Sequence, residues 1–138
     1  MKLIEVDEDQ TTIHITRGDK PVFNELAFCL PILNQNNEEE LYEFQLTDKI
    51  TFSVKEKKGN TKKEILRIEK TLAEMGYTEP TEYPAIPLTE DDTKVFELTN
   101  KPKTYWYDIV LNDTTTILGY DENGAKKLIV YPEAGERS

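Results

Sequence analysis

Covalent catalysis needs a nucleophile beside a base, and few residues of this sequence could serve as either. The chain has one histidine, His14, and one cysteine, Cys29. Alternation over residues 12–16 places His14 on the polar face of a predicted strand, where a solvent-exposed histidine without a catalytic role is the usual outcome. Cys29 lies between Phe28 and Leu30, and such an apolar setting raises a thiol's pKa and makes it inert. We therefore expect that the protein is not an enzyme.

The carboxylates offer metal binding and glycoside hydrolysis as further chemistries. The segment Asp121-x-Asn123-Gly124 matches part of a calcium loop, but no acid follows at the later ligand positions, so a turn is sufficient. The acidic runs 38–40 and 90–92 could supply a glycosidase pair. The first run is typical of a solvated loop and the second of a helix N-terminus. We expect no metal and no cofactor.

Arg17-Gly18-Asp19 could be an integrin ligand if it lay at the tip of an extracellular loop. Its local chemistry is explained by a turn, because glycine permits positive φ and aspartate accepts hydrogen bonds from nearby backbone amides. We therefore interpret residues 17–21 as a turn.

Charge and hydropathy exclude several classes of partner. The 138 residues carry a net charge of -10, which repels nucleic acid and anionic membranes. No stretch approaches the roughly 20 apolar residues that span a bilayer. Acids follow the first apolar pair near Met1, so no signal peptide is expected and assembly should be cytoplasmic. The length fits one domain, residues 1–138.

Hydrophobic periodicity predicts a fold made of short strands. Residues 65–72 fit a strand or a short helix, and we favour a strand that forms a hairpin with residues 50–56. Thr89 can cap a short helical turn near 90–97. The remaining predicted elements are strands at 12–16, 23–30, 41–46, 50–54, 105–111, 114–120 and 127–131, a short edge strand at 85–88, and a polar loop at 34–40.

Residues 105–111 form the strongest predicted strand, because they are aromatic and β-branched almost throughout. Alternation places Tyr105 and Tyr107 on one face and Trp106 on the other. Trp106 is then either covered within a central strand or exposed, where it could anchor an interface or stack on a sugar. Asn123-Gly124 predicts a type I′ hairpin between the last two strands. At least seven short strands indicate a sandwich or a barrel.

Several segments share their order and spacing with a known family. They are Ile15-Thr16-Arg17-Gly18-Asp19, the apolar strand and basic hairpin at 50–58 and 68–71, Ile86-Pro87-Leu88-Thr89-Glu90-Asp91-Asp92-Thr93, Tyr105-Trp106-Tyr107-Asp108-Ile109-Val110-Leu111, and a last apolar strand ending near Pro132-Glu133. Over residues 11–134 the sequence resembles the N-terminal domain of baseplate upper proteins from phages of Gram-positive bacteria. The matched positions are Arg17, Gly18, Asp19, Leu88, Thr89, Asp92, Thr93, Tyr105, Tyr107, Asp108 and Ile109.

The resemblance implies an immunoglobulin-like antiparallel β-sandwich that docks into a phage tail tip or other virion assembly. Its implied partners are other tail or baseplate proteins and further copies of itself, and its implied location is the virion, after assembly in the cytoplasm of a bacterial host. The expected function is that of a structural adaptor acting through protein contacts. The alternative is a carbohydrate-binding or adhesive β-sandwich.

The N-terminal segment 2–6 alternates apolar and charged residues. We predict that residues 1–10 form an arm or edge strand used between subunits, and pairing within the same domain is an equal alternative. The predicted interface residues are Leu3, Ile4, Val6 and Trp106.

Overall fold

The computed structural model describes residues 12–18, 28–56, 64–96, 100–118 and 126–132. It confirms the prediction of an all-β fold with one short helical turn. In chain order the elements are β1 (Ile13–Thr16), β2 (Pro31–Leu33), β3 (Glu39–Leu41), β4 (Lys49–Lys55), β5 (Glu64–Thr71), α1 (Glu90–Thr93), β6 (Lys103–Leu111), β7 (Thr115–Leu118) and β8 (Lys126–Tyr131).

The main sheet has the strand order β1-β8-β6-β4-β5, with β7 also paired to β6, and β2 and β3 form a second, two-stranded sheet. Neighbours in the main sheet run antiparallel except β1 and β8, which are parallel in the register Ile13 to Leu128. The expected sandwich was wholly antiparallel. Since β1 and β8 lie far apart in the chain, no short turn forces them to run in opposite directions.

The core lies on one face of the main sheet, which we call the inner face. β6 places Tyr105, Tyr107, Ile109 and Leu111 there, in strict alternation with half-buried residues. This confirms the central strand and the predicted sides of its aromatic residues. The side chains packed into the same cluster from outside the strands of the main sheet include Phe28, Phe44, Leu72, Met75, Ile86, Leu88 and Phe96.

The hairpin predicted from residues 50–56 and 65–72 is confirmed as β4 and β5, paired with Phe52 opposite Ile68. Every residue from Ile50 to Val54 is buried, so β4 is covered on both faces. The predicted strand at 12–16 is confirmed as β1, with Ile13 and Ile15 on the inner face.

The strand predictions over residues 23–46 need correction. Residues 23–27 lie outside the described part of the chain, 28–30 form no strand, and the strand there is β2. Residues 34–38 form the predicted loop, with Asn34 Oδ1 accepting from the backbone N–H of Glu38, but the next two acids belong to β3. An exposed hairpin needs no alternation of apolar and polar residues. For this reason Glu39 and Glu40 were predicted as part of the loop.

The strand predicted at 41–46 is also wrong, because only Leu41 lies in a strand. Phe44 makes an isolated bridge to Thr81 and packs its ring against Phe28 at 5.6 Å. Its apolar side chain is buried by this contact and not by a strand of the main sheet. Residues 85–88 likewise form no strand, although residues 84–86 and Leu88 are buried.

The C-terminal hairpin is wrong in its pairing. β7 pairs with β6 through Leu111 and Thr115, and β8 pairs with β6 through Tyr107 and Lys126. Because β4 occupies the other edge of β6, β7 and β8 run in the same direction, end to end, along one edge of β6. The predicted Asn123-Gly124 turn lies outside the described residues. The turn that is seen joins β6 to β7, where Asn112 and Asp113 both have positive φ, as a type I′ turn requires.

Within the described ranges, no helix has the length and apolar character needed to cross a membrane.

Candidate interaction surface

The arginine-glycine turn after β1 is attached to the last residue of α1 and to the segment that follows it. Arg17 donates from Nε to the carbonyl of Phe96 at 2.8 Å and from Nη2 to the carbonyl of Lys94 at 3.1 Å. The backbone N–H of Gly18 donates to Thr93 Oγ1 at 3.0 Å. The guanidinium thereby binds the carbonyl of Lys94, the C-cap residue of α1, where a cation is favourable, and a second carbonyl two residues beyond it. Arg17 therefore has a structural role, and Asp19 lies outside the described residues.

The start of α1 has the predicted cap. Thr89 Oγ1 accepts from the backbone N–H of Asp92 at 3.1 Å, and the Asp92 carboxylate accepts from the backbone N–H of Thr89 at 2.9 Å. This reciprocal pair is a capping box, which satisfies two amides that the helix leaves without partners. Leu88 and Thr93 are buried beside it, at 3% and 0% exposure. The motif at residues 86–93 is therefore a structural corner.

The aromatic motif in β6 meets this corner. The ring of Tyr105 lies 4.9 Å from that of Phe96, whose carbonyl holds Arg17. Further along the strand, Tyr107 packs against Phe52, with ring centroids 5.8 Å apart. Ile109 is 1% exposed in the same core. The end of β1, strand β4 and the segment from Phe96 to β6 thus meet in one packed cluster.

Asp108 is the matched position that faces the opposite, outer face of the sheet, where it accepts a hydrogen bond from Ser53 Oγ at 2.6 Å. His14 lies on the same face, but its Nδ1 is hydrogen-bonded to Tyr131 Oη at 2.8 Å. From His14, Asp108 lies two strand spacings and Ser53 three strand spacings across the sheet, and both lie about four residues along it, on the order of 15 to 20 Å away. The three residue types of a serine-histidine-aspartate triad therefore do not meet here.

Cys29 is half-buried, and burial raises the pKa of its thiol, which lowers its reactivity at neutral pH. The acidic run 38–40 is exposed on the two-stranded sheet, and the run 90–92 forms the first turn of α1. Within the described ranges, no three or more His, Cys, Asp or Glu side chains are grouped so that they could hold a metal ion. The calcium-loop segment 121–124 lies outside those ranges.

The outer face carries Trp106 in the middle of a row that crosses three strands. In the register, Lys55 of β4 and Lys127 of β8 lie directly opposite Trp106 on either side. Trp106 and Lys55 are half-buried and Lys127 is exposed. The indole is therefore neither fully covered nor fully exposed, which lies between the two predicted alternatives. The other predicted interface residues, Leu3, Ile4 and Val6, lie outside the described part of the chain.

A polar network that the sequence did not reveal fixes the end of the sheet. Asp48 is 8% exposed and accepts from Tyr42 Oη, the backbone N–H of Gln45 and Asn112 Nδ2, at 2.7 to 2.9 Å. Asn112 also accepts from the backbone N–H of Lys49 at 2.8 Å. Burial by itself raises the pKa of Asp48, but the three hydrogen bonds outweigh it and the net pKa is lowered. The pair Asn112-Asp113 after β6 was the feature of the sequence that could have indicated this network, because it marks the turn in which Asn112 lies.

No family model, curated protein or solved structure matches this chain.

Proposed function

We propose that this chain is a structural module of a phage or prophage virion, associated with the baseplate or tail, and that it acts through protein contacts without chemistry of its own. The supporting observation is a set of contacts in which Gly18 donates to Thr93 Oγ1, Arg17 donates to the carbonyl of Phe96, and the Phe96 ring packs on Tyr105. Two of the segments that resemble baseplate upper proteins meet directly at Gly18 and Thr93, and Phe96, just after the second segment, connects them to the third at Tyr105. Residues that join one segment to another in this way build a scaffold, whereas catalytic residues converge on a cleft.

The immunoglobulin-like identity of the fold belongs to the same proposal. The mixed main sheet with its small second sheet is compatible with a sandwich. On this proposal, the outer face and its half-buried indole are available to partners in the assembly, since tryptophan commonly anchors interfaces.

The alternative, a sugar-binding module, has less support. A sugar platform needs an open aromatic face with hydrogen-bonding groups such as amides beside it. Here the cross-strand neighbours of Trp106 are two lysines, and its neighbours on the same face of β6 are Thr104 and Asp108. None of these four residues is an amide.

The test is quantitative mass spectrometry of virions purified by density gradient after prophage induction in the source strain. We expect the chain at a fixed ratio to other tail proteins and a multiple of a small symmetry number. A gradient fraction from an uninduced culture is the control. Absence of the chain from purified virions would refute the proposal, and saturable binding to host cell-wall glycan without virion association would favour the sugar-binding alternative.

A further inference from the structure

Two surfaces of the chain carry complementary chemistry. The first, which we call the Lys-Trp-Lys row, consists of Lys55, Trp106 and Lys127 on the outer face of the main sheet. It places an apolar indole between two positive charges on a chain with a net charge of -10. Although Lys55 also lies opposite Glu64 of β5, the row carries two positive charges that an acidic segment of another copy can pair with.

The second surface, the acidic hairpin, is formed by β2, β3 and their loop. Leu33 is 66% exposed there and is the more exposed of the two large apolar side chains that the described residues leave open to solvent. Its cross-strand partner is Glu39, and Ile32 lies opposite Glu40. Together with Glu38 these acids are exposed. The hairpin therefore presents one apolar side chain next to negative charge.

The spacings of the two surfaces match. Adjacent strands lie about 4.8 Å apart, so Glu39 lies one strand spacing from Leu33 and each lysine lies one strand spacing from Trp106. Leu33 seated on the indole would bring a carboxylate to one of the lysines. Within one chain this contact is not made, because Leu33 is 66% exposed.

We propose that the acidic hairpin of one copy docks on the Lys-Trp-Lys row of a second copy. The contact is head to tail, because each copy contributes a different surface, and such contacts close into rings or extend as filaments. Buried apolar contact between Leu33 and Trp106 supplies attraction, and the charge pairs fix the register. The proposal rests on the proposed function for its setting, since symmetric assembly is what a tail module requires.

Charge reversal gives a direct test. One variant carries Lys55→Glu and Lys127→Glu, and the other carries Glu39→Lys, because Glu39 is the acid on the same face of the hairpin as Leu33. Each variant alone places like charges on both surfaces, so we expect its association constant to fall by at least about tenfold. In an equimolar mixture, the hairpin of each variant faces a row of opposite charge, so association should return. Sedimentation equilibrium of the full chain measures all three samples and the wild type.

Two matched controls reverse the same number of charges elsewhere. Lys70→Glu with Lys101→Glu controls the row, and Glu79→Lys controls the hairpin; all three positions are exposed. The control variants should associate as the wild type does. Leu33→Ser should weaken association without lowering the melting temperature, because the side chain is solvent-exposed.

Three results would overturn the docking contact: a wild type that stays monomeric up to about 1 mM, reversed variants that associate normally, or a mixture that does not associate. The virion analysis separates this failure from failure of the proposed function. Virions that contain the chain, together with a mixture that stays monomeric, would refute the docking contact alone. Virions without the chain would refute the proposed function, whatever the mixture does.

Discussion

Arg17 and Phe96 are 79 residues apart in sequence, and the guanidinium Nε of the first donates to the backbone carbonyl of the second at 2.8 Å. The same guanidinium holds the carbonyl of Lys94. One charged side chain thus attaches the end of β1 to the segment after α1. Because Phe96 packs on Tyr105, this contact also positions a ring in the core.

Replacing Arg17 with alanine should therefore destabilise the protein. Two hydrogen bonds from a charged donor are lost and two carbonyls lose their partner, so we expect a fall of about 2 to 3 kcal/mol in the free energy of unfolding. Urea denaturation measures it. Arg67→Ala is the matched control: Arg67 makes surface ion pairs with Glu64 and Glu69, and its loss should cost under about 1 kcal/mol. If the two substitutions lowered the free energy of unfolding equally, the Arg17 hydrogen bonds would contribute no more to stability than the surface ion pairs of Arg67.

Ile109→Ala tests the central strand. Ile109 is 1% exposed and lies opposite Phe52, so truncation leaves a cavity on the inner face. We expect a loss of about 2 to 4 kcal/mol in the free energy of unfolding. Val110→Ala, at the next and half-buried position on the outer face, should cost clearly less. A larger loss at Val110 would mean that the inner and outer faces are assigned wrongly.

Asp48 makes the stability depend on acid pH. Its folded-state pKa is lowered: burial raises it, but the hydrogen bonds from Asn112, Gln45 and Tyr42 outweigh burial. The ionised carboxylate therefore stabilises the fold above the unfolded-state pKa, about 3.9, and this contribution is lost as the pH falls through the folded-state pKa.

Asp48→Asn should accordingly be less stable than the wild type at pH 7, and the difference should shrink below about pH 4. Thermal unfolding at pH values from 7 to 2 measures the difference. Glu79→Gln removes one negative charge at an exposed site and controls for net charge. A stability gap between wild type and Asp48→Asn that is constant over this range would contradict the assignment.

The elements that could be predicted are those whose signal is local. Alternation in the sequence predicts β6, because Tyr105, Tyr107 and Ile109 must all reach one core. The three-residue spacing of Thr89 and Asp92 predicts the start of α1, because each side chain accepts a hydrogen bond from the backbone N–H of the other. In both cases the physics that decides the structure lies within a few residues.

The elements that could not be predicted depend on partners far along the chain. Asn123-Gly124 favours a turn, but a turn signal does not say which strand the flanking segments pair with, and both β7 and β8 pair with β6. Glu39 and Glu40 of β3 were predicted as loop because exposed strands need no apolar face. The Lys-Trp-Lys row exists because the strand register places Lys55 and Lys127 beside Trp106. The sequence does not reveal this register, so only Trp106 of the row was predicted as an interface residue.

The last prediction concerns chemistry. Ser53 and Asp108 are hydrogen-bonded on the outer face, and His14 lies on the same face in contact with Tyr131, far from both. Because His14, the single histidine of the chain, lies far from Ser53, we expect no labelling by a fluorophosphonate probe and no esterase activity above buffer, in the wild type and in His14→Gln alike. Metal analysis after dialysis against the free buffer should find less than about 0.1 zinc or calcium per chain, since structural and catalytic sites bind close to one equivalent. Labelling that disappears in Ser53→Ala, while the folded state persists by circular dichroism, would contradict a purely structural role and place chemistry on this face.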